Sequence, residues 1–263
     1  MPDRTRLRRR VGPASVVLAF IVASAGAARA GTLEVSLSSH YSTGDYGTSE
    51  NTDIVYVPLL LRYETGPWTL KVLLPWLRIS GGSAVVETPG GPVTTKAGTN
   101  EGVGDMLFEV DHAIAPFAEY APWITLGLRV KAPTASRDDG LGTGYWDAAP
   151  GVELAQRYGR WTPYLAVGYR ILGDGHGVSY HDGFVASVGT MLQVLERVEG
   201  GVFLDWRQAA SAGGDDSLEL LPTWRLDVSD DWTVDGYVSV GFTDAVPDVG
   251  TGLEIERRFG SEP

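Results

Sequence analysis

The chain has 263 residues, of which 43% are hydrophobic and 21% charged, and its formal net charge is −12. This composition excludes a disordered or collagen-like chain. The absence of cysteine excludes disulfides and thiolate metal sites, and the four scattered histidines predict neither a metal centre nor any other cofactor. The acidity predicts no nucleic-acid partner, because a negative surface repels phosphate.

The N-terminal segment has the pattern of a secretory signal peptide. Five arginines between Arg4 and Arg10 precede an apolar run from Val16 to Ala27, and Ala28-Arg29-Ala30 follows it. The run is too short for a membrane helix, which needs about 20 apolar residues. We expect residues 1–30 to be cleaved and residues 31–263 to form a single domain.

The rest of the chain alternates apolar and polar residues with a period of two, which is typical of strands with two different faces. Trp232, Val234 and Val238 point one way, whereas Thr233 and Asp235 point the other way. Twelve such strand segments are predicted, at about residues 32–41, 54–63, 68–79, 105–114, 122–133, 147–158, 161–172, 183–194, 201–209, 217–228, 232–242 and 249–259.

The connections between these segments alternate between long and short. Together with an even strand count, this alternation predicts an all-β fold, a transmembrane antiparallel β-barrel of about 12 strands. A secreted soluble β-sandwich or jelly roll is the alternative, because its strands alternate in the same way. The long connections are residues 42–53, 80–104, 134–146, 173–182, 210–216 and 243–248, and the short ones are 64–67, 115–121, 159–160, 196–200 and 229–231.

The polar faces carry charges of both signs, spread evenly over the strands. Opposite charges on neighbouring strands can pair, which favours a wet, cross-linked lumen over the exposed surface of a sandwich. The predicted lumen-lining residues are Arg129, Lys131, Arg170, Asp205, Arg207, Glu219, Arg225 and Asp235.

Tryptophan recurs at one end of the predicted barrel. Trp68, Trp161 and Trp232 each follow a short turn and each precede a threonine. Such rings prefer the lipid–water boundary, so these three residues predict an interfacial girdle on the periplasmic side. The long connections are acidic and are expected to face outward, which makes outer-membrane lipids and lipopolysaccharide the predicted partners.

Three glycine-rich motifs carry a family resemblance. The segments 101–105 (EGVGD), 131–134 (KAPT) and 140–144 (GLGTG), the last followed by Asp147, resemble the outer-membrane β-barrel transporter family of the meta-pathway of phenol degradation. The resemblance implies localisation in the bacterial outer membrane and an uptake channel. It supplies no functional residues.

A barrel of twelve strands lies between side-chain-filled barrels of eight strands and the open pores of about sixteen. We therefore predict a narrow channel for small, weakly polar or aromatic solutes. The connection 80–104 carries little charge. It is expected either to fold inward as a constriction or to extend the wall as a hairpin. The oligomeric state stays open.

Two other functions compete with transport. The barrel could serve as a non-transporting anchor or surface receptor, or as an outer-membrane lipid hydrolase. A hydrolase is disfavoured because His40 falls on the inward register, His112 lies near a short turn, and no Gly-x-Ser-x-Gly motif occurs in the chain. We predict no catalytic residue. The loop with Asp174, His176, His181 and Asp182 is explained by turn preferences, so we predict no metal there either.

Overall fold

The computed structural model describes residues 31–260 apart from residues 84, 89, 119–120 and 174–179. The predicted signal peptide, residues 1–30, lies outside the described residues, so its cleavage stays a prediction. In the described part of the chain, no helix is long and apolar enough to span a membrane.

The regular elements of the described residues are all β-strands. They are β1 (Thr32–Gly44), β2 (Thr52–Thr65), β3 (Trp68–Gly81), β4 (Val85–Thr88), β5 (Gly91–Thr94), β6 (Gly98–Val103), β7 (Met106–Ile114), β8 (Trp123–Ala132), β9 (Asp147–Ala155), β10 (Trp161–Arg170), β11 (Gly183–Leu195), β12 (Val198–Arg207), β13 (Ser217–Asp227), β14 (Trp232–Gly241) and β15 (Val249–Phe259).

Thirteen of these strands form one sheet that closes on itself, and β4 and β5 form a separate hairpin. Strand β1 pairs antiparallel with β2 on one side and with β15 on the other, which closes the barrel. Because β6 and β7 follow one another along β3, they share a single position and the wall is 12-stranded. The predicted antiparallel barrel is confirmed, and the closed wall rules out the two-sheet sandwich.

The ends of the barrel differ as the sequence predicts. At one end, β2–β3 and β11–β12 are joined by two-residue turns, at residues 66–67 and 196–197. At the other end, β8–β9 and β10–β11 are joined by residues 133–146 and 171–182. Gly66 has a positive φ of 56°, which a side chain would strain, and so permits the tight turn.

The alternation along the strands places apolar side chains outside and polar side chains inside. On β14, Val238 is 46% exposed whereas its neighbour Ser239 is 4% exposed. Strand β15 repeats this, with Leu253 and Ile255 exposed and the carboxylates of Glu254 and Glu256 facing inward. An apolar exterior around a polar interior is the inverse of a soluble domain and suits a bilayer.

The start of β2 and the end of β3 lie beside the long connections and are called here the upper parts of these strands. They break this rule, because both of their faces carry apolar side chains. Ile54 and Tyr56 on β2, and Leu77 and Ile79 on β3, point inward and are buried. The β4–β5 hairpin covers them, with the Val86 side chain fully buried in the contact. The apolar inner wall is therefore the surface on which the hairpin packs.

The connection between β3 and β7 adopts both of the conformations that the sequence left open. Its first half is the β4–β5 hairpin, which folds into the barrel. Its second half is β6, which pairs with β3 from Trp76 to Gly81 and extends the wall. A single long connection thus narrows the lumen and lengthens the barrel.

The inside–outside assignment on β14 can be tested with two neighbouring substitutions. Val238→Arg places a charge against lipid and is expected to lower the free energy of unfolding by roughly 2–4 kcal/mol. Ser239→Arg is expected to cost clearly less, because Ser239 borders the internal cavity described below. Urea unfolding in lipid vesicles, followed by heat-modifiable gel migration, measures both. Equal losses would mean that the register is wrong.

Candidate functional site

The β4–β5 hairpin fills one side of the lumen. It packs on the inner wall through a cluster of buried apolar side chains, called here the hairpin cluster. Apolar burial of this kind is non-directional, so the cluster holds the hairpin against the wall without dedicated hydrogen bonds. The cluster consists of Tyr46, Ile54, Tyr56, Leu73, Leu77, Ile79, Val86, Val93, Leu107 and Leu141.

An ion pair ties the other side of the hairpin to the opposite wall. The Arg170 Nη1 atom on β10 donates to both Glu87 carboxylate oxygens, at 2.9 and 3.1 Å. Its Nη2 atom donates to the Gln208 carbonyl at 2.7 Å. Charge-assisted bonds of this type are stronger than neutral ones and fix geometry. The hairpin is therefore held from both sides of the lumen.

The predicted lumen charges face inward and engage partners on adjacent elements. Three contacts join neighbouring wall strands: Arg207 Nη1 to Glu219 at 3.0 Å, Arg225 Nε to Asp235 at 2.6 Å, and the Ser187 hydroxyl to Asp205 at 2.5 Å. Such pairs cross-link successive strands along the inside of the wall.

The seam where the two ends of the chain meet holds a further charged cluster. Glu34 on β1 is 2% exposed and lies 2.5 Å from Arg258 on β15 and 3.2 Å from Arg62 on β2. A carboxylate removed from water is costly unless it is paired, and two guanidinium groups pair it here. The cluster thus stabilises the strand contacts that close the barrel.

The three family motifs meet in space around Lys131. Its Nζ atom lies 2.6 Å from Asp147 and 3.5 Å from Asp105, and it donates a 2.8 Å hydrogen bond to the Thr143 hydroxyl. Lys131 is itself buried. These contacts link the β6–β7 junction, strand β8 and the loop before β9. The motifs therefore have a structural role where the constricting connection joins β7.

A glycine makes the β6–β7 junction possible. A Cβ on Gly104 would lie 2.1 Å from Leu77 Cδ1 and 3.0 Å from Pro75 Cγ, so only glycine fits. The Gly104 N–H donates to the Pro75 carbonyl at 2.9 Å, and its carbonyl accepts from the Thr134 hydroxyl at 2.9 Å. The chain is thereby fixed where the wall extension passes into β7.

A cavity of about 210 Å³ lies between the tip of the hairpin and the barrel wall, and we call it the chamber. His40 stands at its edge, with Nδ1 at 3.0 Å from the Tyr237 hydroxyl and Nε2 at 2.9 Å from the Ser38 hydroxyl. The side chains that line the chamber include His40, Ile54, Tyr56, Glu87, Pro92, Leu107, Arg129, Lys131, Asp147, Arg170, Arg207, Glu219, Leu221, Tyr237 and Ser239.

The tryptophans of the proposed girdle open β3, β10 and β14, directly after short turns. Trp68, Trp161 and Trp232 are all exposed on the outer surface. The Trp68 and His112 rings lie 4.4 Å apart, and the Arg257 guanidinium lies 5.2 Å from the Trp232 ring centre. Aromatic and basic side chains thus lie in contact at this end of the outer surface.

The histidine-containing loop is only partly described. Asp174 and His176 lie outside the described residues. The Asp182 carboxylate accepts the Leu172 N–H at 2.8 Å, which is the turn role that the sequence predicts. In the described part of the chain, no group of three or more histidine, aspartate or glutamate side chains is arranged to hold a metal ion.

Sequence reasoning missed two contributors to this site. Glu87 lies in the connection 80–104, for which inward folding is one of two predictions, but nothing in its neighbourhood signals a partner 83 residues away at Arg170. Tyr56 lies on the inward register of β2, but the apolar residues around it hide the alternation. A run that is apolar on both strand faces is the only available signal, and it indicates a covered inner wall.

Solved structures with a similar fold include an outer membrane channel, a porin and the translocator domain of an autotransporter. An outer membrane channel from Pseudomonas putida F1 has 17% identity and a TM-score of 0.65, with 95% of this chain and 100% of that chain covered. The NanC porin has 9% identity and a TM-score of 0.51, with 86% and 100% covered. The translocator domain of the autotransporter NalP from Neisseria meningitidis has 10% identity and a TM-score of 0.50, with 88% and 89% covered.

At these identities the likeness shows the fold alone. No curated protein matches the sequence. A family model described as "Putative MetA-pathway of phenol degradation" matches residues 46–259, which include all three motifs around Lys131. The chain belongs to this family.

Proposed function

We propose that the protein is a bacterial outer-membrane channel that admits small, weakly polar or aromatic solutes. The observation that carries the proposal is the β4–β5 hairpin, folded into a closed barrel and held there by Glu87 and the hairpin cluster. A barrel that only anchored a surface loop would gain nothing from narrowing its own lumen. A constriction inside the barrel instead limits which solutes can pass.

The surfaces beside the hairpin fit solutes of mixed polarity. Arg129, Arg170 and Arg207 line the chamber together with the apolar Ile54 and Leu107. An apolar wall with a few convergent polar groups is the usual composition of a small-molecule site. The predicted lumen-lining role of the charged residues follows from this arrangement as part of the proposal.

The outer surface supports a membrane orientation. Trp68, Trp161 and Trp232 would form the girdle at the periplasmic boundary, since aromatic side chains with a polar edge prefer that depth. The Arg257 guanidinium beside Trp232 would meet lipid phosphates there. The acidic long loops would then face lipopolysaccharide on the outside, where divalent cations bridge the two negative surfaces.

The constriction predicts a gain of conductance on deletion. Replacing β4 and β5, residues 85–94, with a short Gly-Ser linker is expected to raise single-channel conductance by roughly twofold or more, because the linker leaves the lumen cross-section open. The wall should still fold, since its ladder of hydrogen bonds does not include the hairpin. Planar-bilayer recording measures conductance, and heat-modifiable migration reports folding.

Glu87→Gln is the matched control for the deletion, because it keeps the hairpin and weakens only the bond to Arg170. We expect it to conduct more than the wild type and less than the deletion variant. If both the wild type and the deletion variant fold but carry no current, the protein is an anchor or receptor and the channel proposal is wrong.

The orientation predicts which loops are reached from outside the cell. The chain has no cysteine, so single cysteines can be introduced at exposed positions without a background signal. Asp139→Cys and Asp215→Cys should react with an impermeant thiol reagent on whole cells. Asp230→Cys, in the exposed short turn before Trp232, should react only after lysis. Labelling at Asp230 alone on intact cells would reverse the topology.

A further inference from the structure

The chamber is lined by charged side chains of both signs. Its lining holds four basic side chains, Arg129, Lys131, Arg170 and Arg207, and three carboxylates, Glu87, Asp147 and Glu219. In a low-dielectric interior a cationic side chain with unused hydrogen-bond donors can bind an anion.

Each carboxylate of the chamber already has its own cation. Glu87 is bound by Arg170, Glu219 lies 3.0 Å from Arg207, and Asp147 lies 2.6 Å from Lys131. These pairs leave Arg129 as the basic side chain whose partner is not among the lining residues. The carboxylate partner of Arg129, Glu109, lies just outside the lining.

The Arg129 guanidinium is only partly used by the protein. Its Nε atom donates to Glu109 Oε2 at 3.1 Å, and Glu109 is shared with Lys71 on the neighbouring strand β3. No described residue accepts a hydrogen bond from the two Nη groups, and the side chain is 34% exposed. A guanidinium edge with free donors matches the two oxygens of a carboxylate.

Tyr56 supplies a second free donor at the same cavity. Its side chain is 2% exposed, and its hydroxyl is buried without a hydrogen-bond partner in the described structure. Gly90 at the hairpin tip lies beside it, since a Cβ there would be in van der Waals contact with the Tyr56 hydroxyl, at 3.9 Å. Buried hydroxyls are normally paired, so an acceptor supplied by a ligand would relieve the cost.

The remaining walls of the chamber are apolar. Ile54, Pro92, Leu107 and Leu221 lie around it. Its volume of about 210 Å³ is below the roughly 300 Å³ at which pockets begin to hold drug-sized ligands, so it suits a single small ring. An inorganic phosphate would leave these apolar walls without a contact.

We propose that the chamber is a binding site for a small organic carboxylate with an apolar body, such as a monocyclic aromatic acid. The carboxylate oxygens accept hydrogen bonds from the Arg129 Nη groups and the Tyr56 hydroxyl, and the ring packs on Ile54, Leu107 and Leu221. This inference deepens the proposed function and rests on it, since the bound acid is the solute that enters the channel.

Calorimetric titration of the full-length refolded protein in detergent micelles tests the site directly. Benzoate is compared with benzyl alcohol, which lacks the charge, and with acetate, which lacks the ring; titrations into empty micelles are subtracted. We expect benzoate to bind about tenfold or more tightly than either, since both the charged bonds and the apolar contacts are needed. Equal binding of benzyl alcohol would overturn the carboxylate assignment.

Two substitutions separate the donors. Arg129→Gln should weaken benzoate binding by about tenfold and change benzyl alcohol binding little, because it removes only the charge-assisted bonds. Tyr56→Phe should weaken benzoate severalfold. The controls Arg78→Gln and Tyr169→Phe change exposed side chains outside the chamber and should leave benzoate affinity unchanged.

If Arg129→Gln does not refold, the Tyr56→Phe variant tests the binding site instead. It is expected to fold, because the wild-type Tyr56 hydroxyl makes no hydrogen bond within the described structure. Unchanged benzoate affinity in Tyr56→Phe would overturn the site. A barrel that conducts in planar bilayers but does not bind benzoate overturns this inference alone. A barrel that binds benzoate but carries no current overturns the channel function instead.

Discussion

Every backbone hydrogen bond of the wall has to be made within the wall, because lipid offers no partner to a free strand edge. The pairing of β1 with both β2 and β15 meets this requirement by closing the sheet. Closure then dictates the chemistry of both faces. The outer face has to be apolar, and polar side chains are confined to the interior, where charges of opposite sign pair. The cluster of Glu34 with Arg62 and Arg258 lies at the seam where closure is completed.

The interior is organised by the same constraint. Charged side chains inside the barrel face one another across neighbouring strands, and the pairs of Arg207 with Glu219 and Arg225 with Asp235 show how adjacent strands are linked. Where the wall has no charge to pair, on the upper parts of β2 and β3, apolar side chains point inward and need a cover. The β4–β5 hairpin provides that cover. The constriction is therefore a consequence of how this part of the wall is built.

The sequence predicts the wall well and the contents of the lumen poorly. Period-two alternation is a local property, so all twelve wall segments and the inward direction of Arg225 and Asp235 can be read from it. The inward hairpin depends instead on contacts between distant residues, such as Glu87 with Arg170, which no local pattern encodes. Alternation also fails at Ile54 and Tyr56, because no local pattern shows which wall residues the inward-folded connection buries. The chamber could not be predicted for the same two reasons, since the hairpin forms one of its walls.

The hairpin divides the lumen into unlike halves, and this asymmetry bears on what can pass. The hairpin cluster occupies its apolar side, and the space that remains is bordered by charged wall side chains such as Arg129 and by apolar ones such as Leu107 and Leu221. Ion pairing neutralises most of that wall and leaves Arg129 with unused donors. A solute with one apolar and one anionic end would satisfy both borders at once, whereas a purely apolar solute would have to displace water from Arg129 without compensation. In the proposed channel, the pairing that stabilises the interior would thus also set the selectivity of the space it leaves free.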